Sequence, residues 1–101
     1  MKNLADYAAT SVHHIREIFP GQPDWLFVMG VAAEAGEMVS AYLRYTGKVR
    51  RLGTREDIAG ELADTVLTSY RAADVLEIDL DKAIAANIDK EQHRGWIEER
   101  H

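Results

Sequence analysis

DWLFVMGVAAEAGEMVSAYLRY, residues 24–45, is a long apolar stretch that carries two glutamates in its middle. No proline interrupts it, and Thr46-Gly47 follows, where a glycine can take the left-handed position that closes a helix. The stretch predicts a helix from Trp25 to Tyr45 with Asp24 as its cap. Glu34-Ala-Gly-Glu37 places two carboxylates at i and i+3, on one face of that helix.

Outward from it, the same periodicity recurs on both sides. Leu4, Tyr7, Ala8, Val12, Ile15, Ile18 and Phe19 follow the 3–4 spacing of an amphipathic helix over Leu4–Phe19, with Asn3 as cap. Pro20-Gly21-Gln22-Pro23 ends it, because proline cannot continue a helix and restrains the residue before it. After the helix 24–45 comes a basic loop, Lys48-Val49-Arg50-Arg51-Leu52-Gly53. Thr54 opens a third helix, with Glu56 and Asp57 in its first turn where they favour the helix dipole. It runs to Leu76 with an expected stripe of Ile58, Leu62, Val66, Tyr70 and Ala73. Asp79 caps a fourth helix, Leu80–His93, with Ala83, Ile84 and Ile88 as inward positions. The tail from Gly95 to His101 is expected to be less ordered. No strand-like alternation, repeat or linker is found. The fold class is therefore all-α, a four-helix bundle in a single domain of 101 residues, with short connections making helices 2 and 3, and 3 and 4, antiparallel neighbours.

Composition limits what such a domain does. There is no cysteine, which excludes disulfides, thiolate–zinc sites and thiol catalysis, and suits the cytosol as the expected compartment. No apolar run approaches the roughly 18 residues of a membrane span, and the N-terminus lacks the apolar core of a signal peptide, so neither is expected. Twelve Lys and Arg against seventeen Asp and Glu give a net charge of −5, which makes duplex nucleic acid a poor partner.

Glu61-Leu-Ala-Asp64 on the third helix repeats the i, i+3 carboxylate pair. Glu37 and Glu61 each stand about twelve residues from the centre of the loop near residue 49, so antiparallel packing puts both pairs at similar height. None of the four acids has a Lys or Arg three or four residues ahead, so helical ion pairs do not account for them. Four carboxylates gathered in low dielectric repel one another and take up protons. A hard divalent cation resolves that conflict, and Mg²⁺ takes oxygen ligands while keeping positions open for water and phosphates. The competing reading is four solvated acids on the outside of a bundle. A di-iron site is rejected because no Glu-x-x-His occurs, and His-Glu-x-x-His is absent as well.

The order Glu34-x-x-Glu37, basic loop, Glu61-x-x-Asp64, with Ile78-Asp-Leu-Asp-Lys-Ala-Ile84 after it, resembles the MazG-like branch of the all-α nucleoside triphosphate pyrophosphohydrolases. The resemblance spans residues 4–96 and extends to Lys90 and Arg94-Gly-Trp96 at the basic C-terminal end. It implies hydrolysis of a (deoxy)nucleoside triphosphate to the monophosphate and pyrophosphate, in nucleotide-pool control or house-cleaning. By that resemblance Glu34, Glu37, Glu61 and Asp64 hold Mg²⁺, or Mn²⁺ in its place, and Glu34 or Glu37 is the catalytic base. It also implies a homodimer or tetramer, which agrees with the modest core of so short a chain. Two departures stand out. Ala33 occupies a position where many members carry a further acid, and Asn87, Lys90 and Glu91 fit the last-helix pattern only loosely. Phosphoribosyl-ATP pyrophosphohydrolases share fold and acids, but nothing in Lys48–Arg55 favours their substrate.

Secondary candidates for substrate contact are Lys48, Arg50 and Arg51 in the loop, and Lys90 with Arg94, which share a helix face at i and i+4. Asn87 suits a base or sugar edge, and Trp25 and Tyr45 suit stacking on a base. Each has a plainer reading as solvated surface or packing, and Trp96, Met29 and Met38 read as packing outright. His13 and His14 read as solvent-facing or at an interface. The alternative function is a non-catalytic helical dimer that binds a nucleotide or a protein through the same groove. A complete acid set favours the enzyme, because binding alone does not require it.

Overall fold

The computed structural model describes residues 3–48 and 53–95, and these form four α-helices with no strand among them. They are α1 (Leu4–Ile18), α2 (Asp24–Tyr45), α3 (Arg55–Val75) and α4 (Leu80–His93). The all-α expectation holds, with boundaries within a residue or so of those read from the pattern. Arg50, Arg51, Trp96 and the rest of the tail beyond Gly95 lie outside the described residues.

Local chemistry sets each start. The Asn3 side chain accepts from the Asp6 N–H at 2.8 Å, and Asp79 accepts from the Lys82 N–H at 3.0 Å. Thr54 and Asp57 form a reciprocal capping box, at 3.2 Å to the Thr54 hydroxyl and 2.9 Å to the Asp57 carboxylate. The second helix differs from expectation. Its cap is Pro23, with no side-chain capping bond, and Asp24 is already helical. The Asp24 carboxylate instead holds Arg16 of α1 at 2.8 Å, and that guanidinium lies 5.5 Å from the centre of the Phe27 ring. Gly47, at φ 72°, closes α2 in the left-handed conformation.

Helix α3 is the central element, with α2 and α1 packed on it. Arg71 ties α3 to α1 by donating to the Ser11 hydroxyl at 2.8 Å, with Ala8 and Val12 buried nearby in sequence on α1. Gly30 of α2 meets Thr68 of α3, and the Gly53 N–H donates to the Arg44 carbonyl. Residue numbers rise along one helix as they fall along the other, so α2 and α3 are antiparallel.

The seam between them follows a heptad-like spacing. On α2 the covered positions are Phe27, Val31, Glu34, Met38 and Ala41; on α3 they are Ile58, Glu61, Thr65, Thr68 and Ala72. The α3 stripe read from sequence is corrected in part: Tyr70 and Ala73 are buried, but Leu62 and Val66 are exposed. Apolar residues guided that expectation, whereas the face against α2 is largely polar or small.

Two further differences concern what the chain leaves uncovered. Helix α4 has no buried residue and packs little on the other helices, so Ile84 and Ile88 do not face a core within the chain. Helix α2 is long and apolar enough, by length and composition, to cross a membrane, with mean hydropathy 1.3. Glu34 and Glu37 interrupt its apolar run, and a helix enclosed by protein on two sides has the same composition. The radius of gyration is 16.5 Å, against about 13 Å for a compact domain of this length.

Removing the capping box tests the start of α3. Thr54→Ala is expected to lower stability by about 1 kcal/mol, read as a lower urea midpoint at fixed chain concentration. An unchanged midpoint would show that the box does not hold this end.

Candidate metal centre

Glu34 and Glu61 occupy the seam, where the spacing of each helix would otherwise place an apolar side chain. Both are half-buried, and Asp64 stands beside them at the exposed rim. One carboxylate oxygen from each of Glu34, Glu61 and Asp64 lies within 4.8 Å of the others. Gly30, one turn before Glu34, helps to set this separation. A Cβ there would stand only 3.2 Å from the Thr68 Cγ2, so the missing side chain lets α2 approach α3.

The electrostatics are those of a site under repulsion. Burial is the first cause that pushes the Glu34 carboxyl above its ordinary value, followed by Glu37, Asp64 and Glu61. Burial also comes first for Glu61, followed by Glu37 and Asp64, while the positive charge of Arg44 opposes the rise. Glu37 is exposed, and its carboxylate contributes to the rise at both Glu34 and Glu61. The Oε2 atoms of Glu34 and Glu61 are buried with no hydrogen-bond partner. Buried acceptors without partners are costly, and the three carboxylates gathered here make an all-oxygen donor set for a hard cation. Hydroxyls nearby on α3 do not fill the role, because Thr65 donates to the Glu61 carbonyl and Ser69 to the Thr65 carbonyl, each at 2.8 Å.

Three of the four acids read from the sequence are thus brought together, with Glu37 alongside. The sequence reading missed Arg44, because it sought cations three or four residues from each acid; Arg44 acts on Glu61 across the seam. The remaining candidates stand elsewhere on the surface. Asn87, Lys90 and Arg94 are exposed on α4. Lys48 is exposed just beyond α2, and Trp25, 61% exposed, sits in the first turn of α2 away from the seam stripe. Met29, read as core filler, is 60% exposed. His13 and His14 are exposed and both lie against Glu17, at 2.9 and 3.7 Å.

A second polar feature lies at the other end of α3. The Tyr70 hydroxyl donates to Asp81 at 2.5 Å beside a cavity of about 270 Å³ lined also by Ala5, Asp74 and Ile78. That bond is the first cause raising the Tyr70 phenol above its ordinary value, ahead of burial and the charges of Asp81 and Asp79. It anchors the start of α4 to α3.

Compared with known proteins, the chain matches no family model, no curated protein and no solved structure.

The carboxylate pair makes a signed prediction for the metal-free protein. Glu34 and Glu61 bind protons more tightly folded than unfolded. Their contribution to stability is whole below the ordinary glutamate value of 4.5 and is lost as pH rises through their raised folded values. Glu61→Gln does not ionise and relieves its neighbours. In EDTA it is expected to melt above the native chain near neutral pH, with the gap closing toward about pH 4. A variant that melts lower at neutral pH contradicts the repulsion.

Proposed function

We propose that this protein is a Mg²⁺-dependent nucleoside triphosphate pyrophosphohydrolase of the MazG-like kind, a hydrolase of phosphoanhydride bonds. The observation that carries the reading is the convergence of Glu34, Glu61 and Asp64 with two buried, unpartnered oxygens. The ordered motif Glu34-x-x-Glu37 and Glu61-x-x-Asp64 supports it from the sequence.

In this reading Glu34, Glu61 and Asp64 hold the cation. A Mg²⁺ ion held there would supply charge neutralisation for the phosphates and would lower the pKa of a bound water. Glu37 is the group left for proton transfer. It is exposed, lies outside the three-oxygen cluster, and adjoins both half-buried glutamates. It accepts a proton from the water that attacks the α-phosphorus. The bond from that phosphorus to the bridging oxygen breaks, giving a nucleoside monophosphate and pyrophosphate. Glu34 and Glu61, gripped in the seam, fix the height of the reacting centre along the two helices. Asp64 at the rim leaves one side open to solvent and substrate.

The division of roles separates two variants. Glu61→Gln is expected to abolish pyrophosphate release and to remove the rise in Tm that Mg²⁺ or Mn²⁺ gives. Glu37→Gln is expected to lower kcat by roughly 100-fold or more while keeping most of that rise. The assay is pyrophosphate release from a panel of canonical and modified nucleoside triphosphates, with Mg²⁺ and with EDTA. Full activity in both variants would overturn the assignment. Silence of the native chain across the panel, with the metal still raising Tm, would favour the non-catalytic binding module.

A further inference from the structure

Arg71 of α3 is a half-buried cation that makes no ion pair with a carboxylate among the described residues. Its Nε donates to the Ser11 hydroxyl of α1 at 2.8 Å, and its guanidinium carbon lies 5.9 Å from the centre of the Tyr7 ring. Arg16 also stands over an aromatic ring, but Asp24 answers its charge at 2.8 Å. Asp74, one turn beyond Arg71, lines the cavity beside Tyr70 instead. Only Nε of Arg71 is spent on the protein, so both terminal nitrogens keep their donors.

Ser11 adds a donor at the same place. Its oxygen accepts from Arg71, which leaves its own proton to give. Helical Ser and Thr commonly return that proton to the carbonyl one turn back, as Thr65 and Ser69 do at 2.8 Å. Ser11 makes no such bond among the described residues. The donors are also held in advance. The bond at Nε and the Tyr7 ring restrain the guanidinium, so little side-chain freedom is lost when a ligand arrives. Ala8 and Val12, next to Ser11 on α1, are buried, and apolar surroundings strengthen an attraction between charges. Tyr7 is 36% exposed, so the groove is open to solvent on that side.

The chemistry of these donors selects the ligand. A half-buried charge without an opposite charge is costly, and an anion removes that cost. Paired guanidinium N–H groups match two oxygens of a phosphate or carboxylate. The Ser11 proton is a further donor, which a phosphate has a further oxygen to meet and a carboxylate does not. The place is separate from the acid centre: Arg71 follows Asp64 by seven residues, two turns or about 10 Å along α3. The bare acids there repel anions, so the two places bind ligands of opposite charge.

We propose that the groove between α1 and α3 is an anion site in which the Arg71 guanidinium and the Ser11 hydroxyl bind a phosphate group, free or as a monoester. The inference is independent of the proposed chemistry, and its test runs in EDTA, where the bare acid centre excludes anions. Calorimetric titration of inorganic phosphate into the native chain, at constant ionic strength, is expected to saturate. The NMR signal of the Arg71 Nε–H is expected to move with the same saturation, and to stay still when chloride replaces phosphate. Arg71→Gln is expected to weaken binding roughly 10-fold or more, and Ser11→Ala a few-fold. Uridine 5′-monophosphate separates the two sources: tighter binding than inorganic phosphate supports a nucleotide, and equal or weaker binding supports free phosphate. Overturning results are no saturable binding to the native chain, an Arg71 signal that chloride moves equally, or Arg71→Gln binding phosphate as tightly as the native chain. A lower Tm in Arg71→Gln with phosphate binding intact marks a purely structural tie and rejects the site. If Arg71→Gln does not fold, Ser11→Ala decides, and unchanged affinity there rejects the site.

Discussion

The antiparallel seam between α2 and α3 places ionisable groups where helix packing calls for apolar ones. Glu34 and Glu61 hold covered positions in that seam, and each leaves one oxygen buried and unpartnered. Protonation relieves the repulsion at the cost of stability as pH rises; a divalent cation relieves it without that cost. Fold and site therefore share one constraint. The approach of the two helices, helped by Gly30 against Thr68, sets the spacing of the acids. The acids in turn make the seam weaker than an apolar one until they are neutralised.

That weakness bears on the rest of the architecture. A seam lined by Glu61, Thr65 and Thr68 buries less apolar surface than one of leucines, and the other buried positions are mostly small or aromatic. Helix α2 is apolar on both its faces, yet only one is covered by its own chain.

Much of the helical plan was legible in the sequence. Asn3, Thr54 and Asp79 act as caps, Pro20 and Pro23 mark the first break, and Gly47 closes α2. The paired acids were legible because i, i+3 spacing and chain antiparallelism are local and geometric. Other features depend on what lies across from each helix. The face of α3 against α2 runs through Glu61, Thr65 and Thr68, which an apolar pattern passes over. Leu62 and Val66 were assigned inward for the same reason. Ile84 and Ile88 form an apolar ridge as the pattern requires, but both stay exposed among the described residues. Arg44 acts on Glu61 across the seam, a relation that no spacing along one helix reveals.

The most direct test of the central claim is a calorimetric titration of Mn²⁺ into the metal-free native chain near neutral pH, repeated in buffers of different ionisation enthalpy. Binding at Glu34, Glu61 and Asp64 is expected to be saturable and absent from Glu61→Gln. It is also expected to release protons as the pH is lowered toward the raised values of Glu34 and Glu61. No saturable binding to the native chain, or equal binding to Glu61→Gln, would contradict the metal centre and the chemistry built on it.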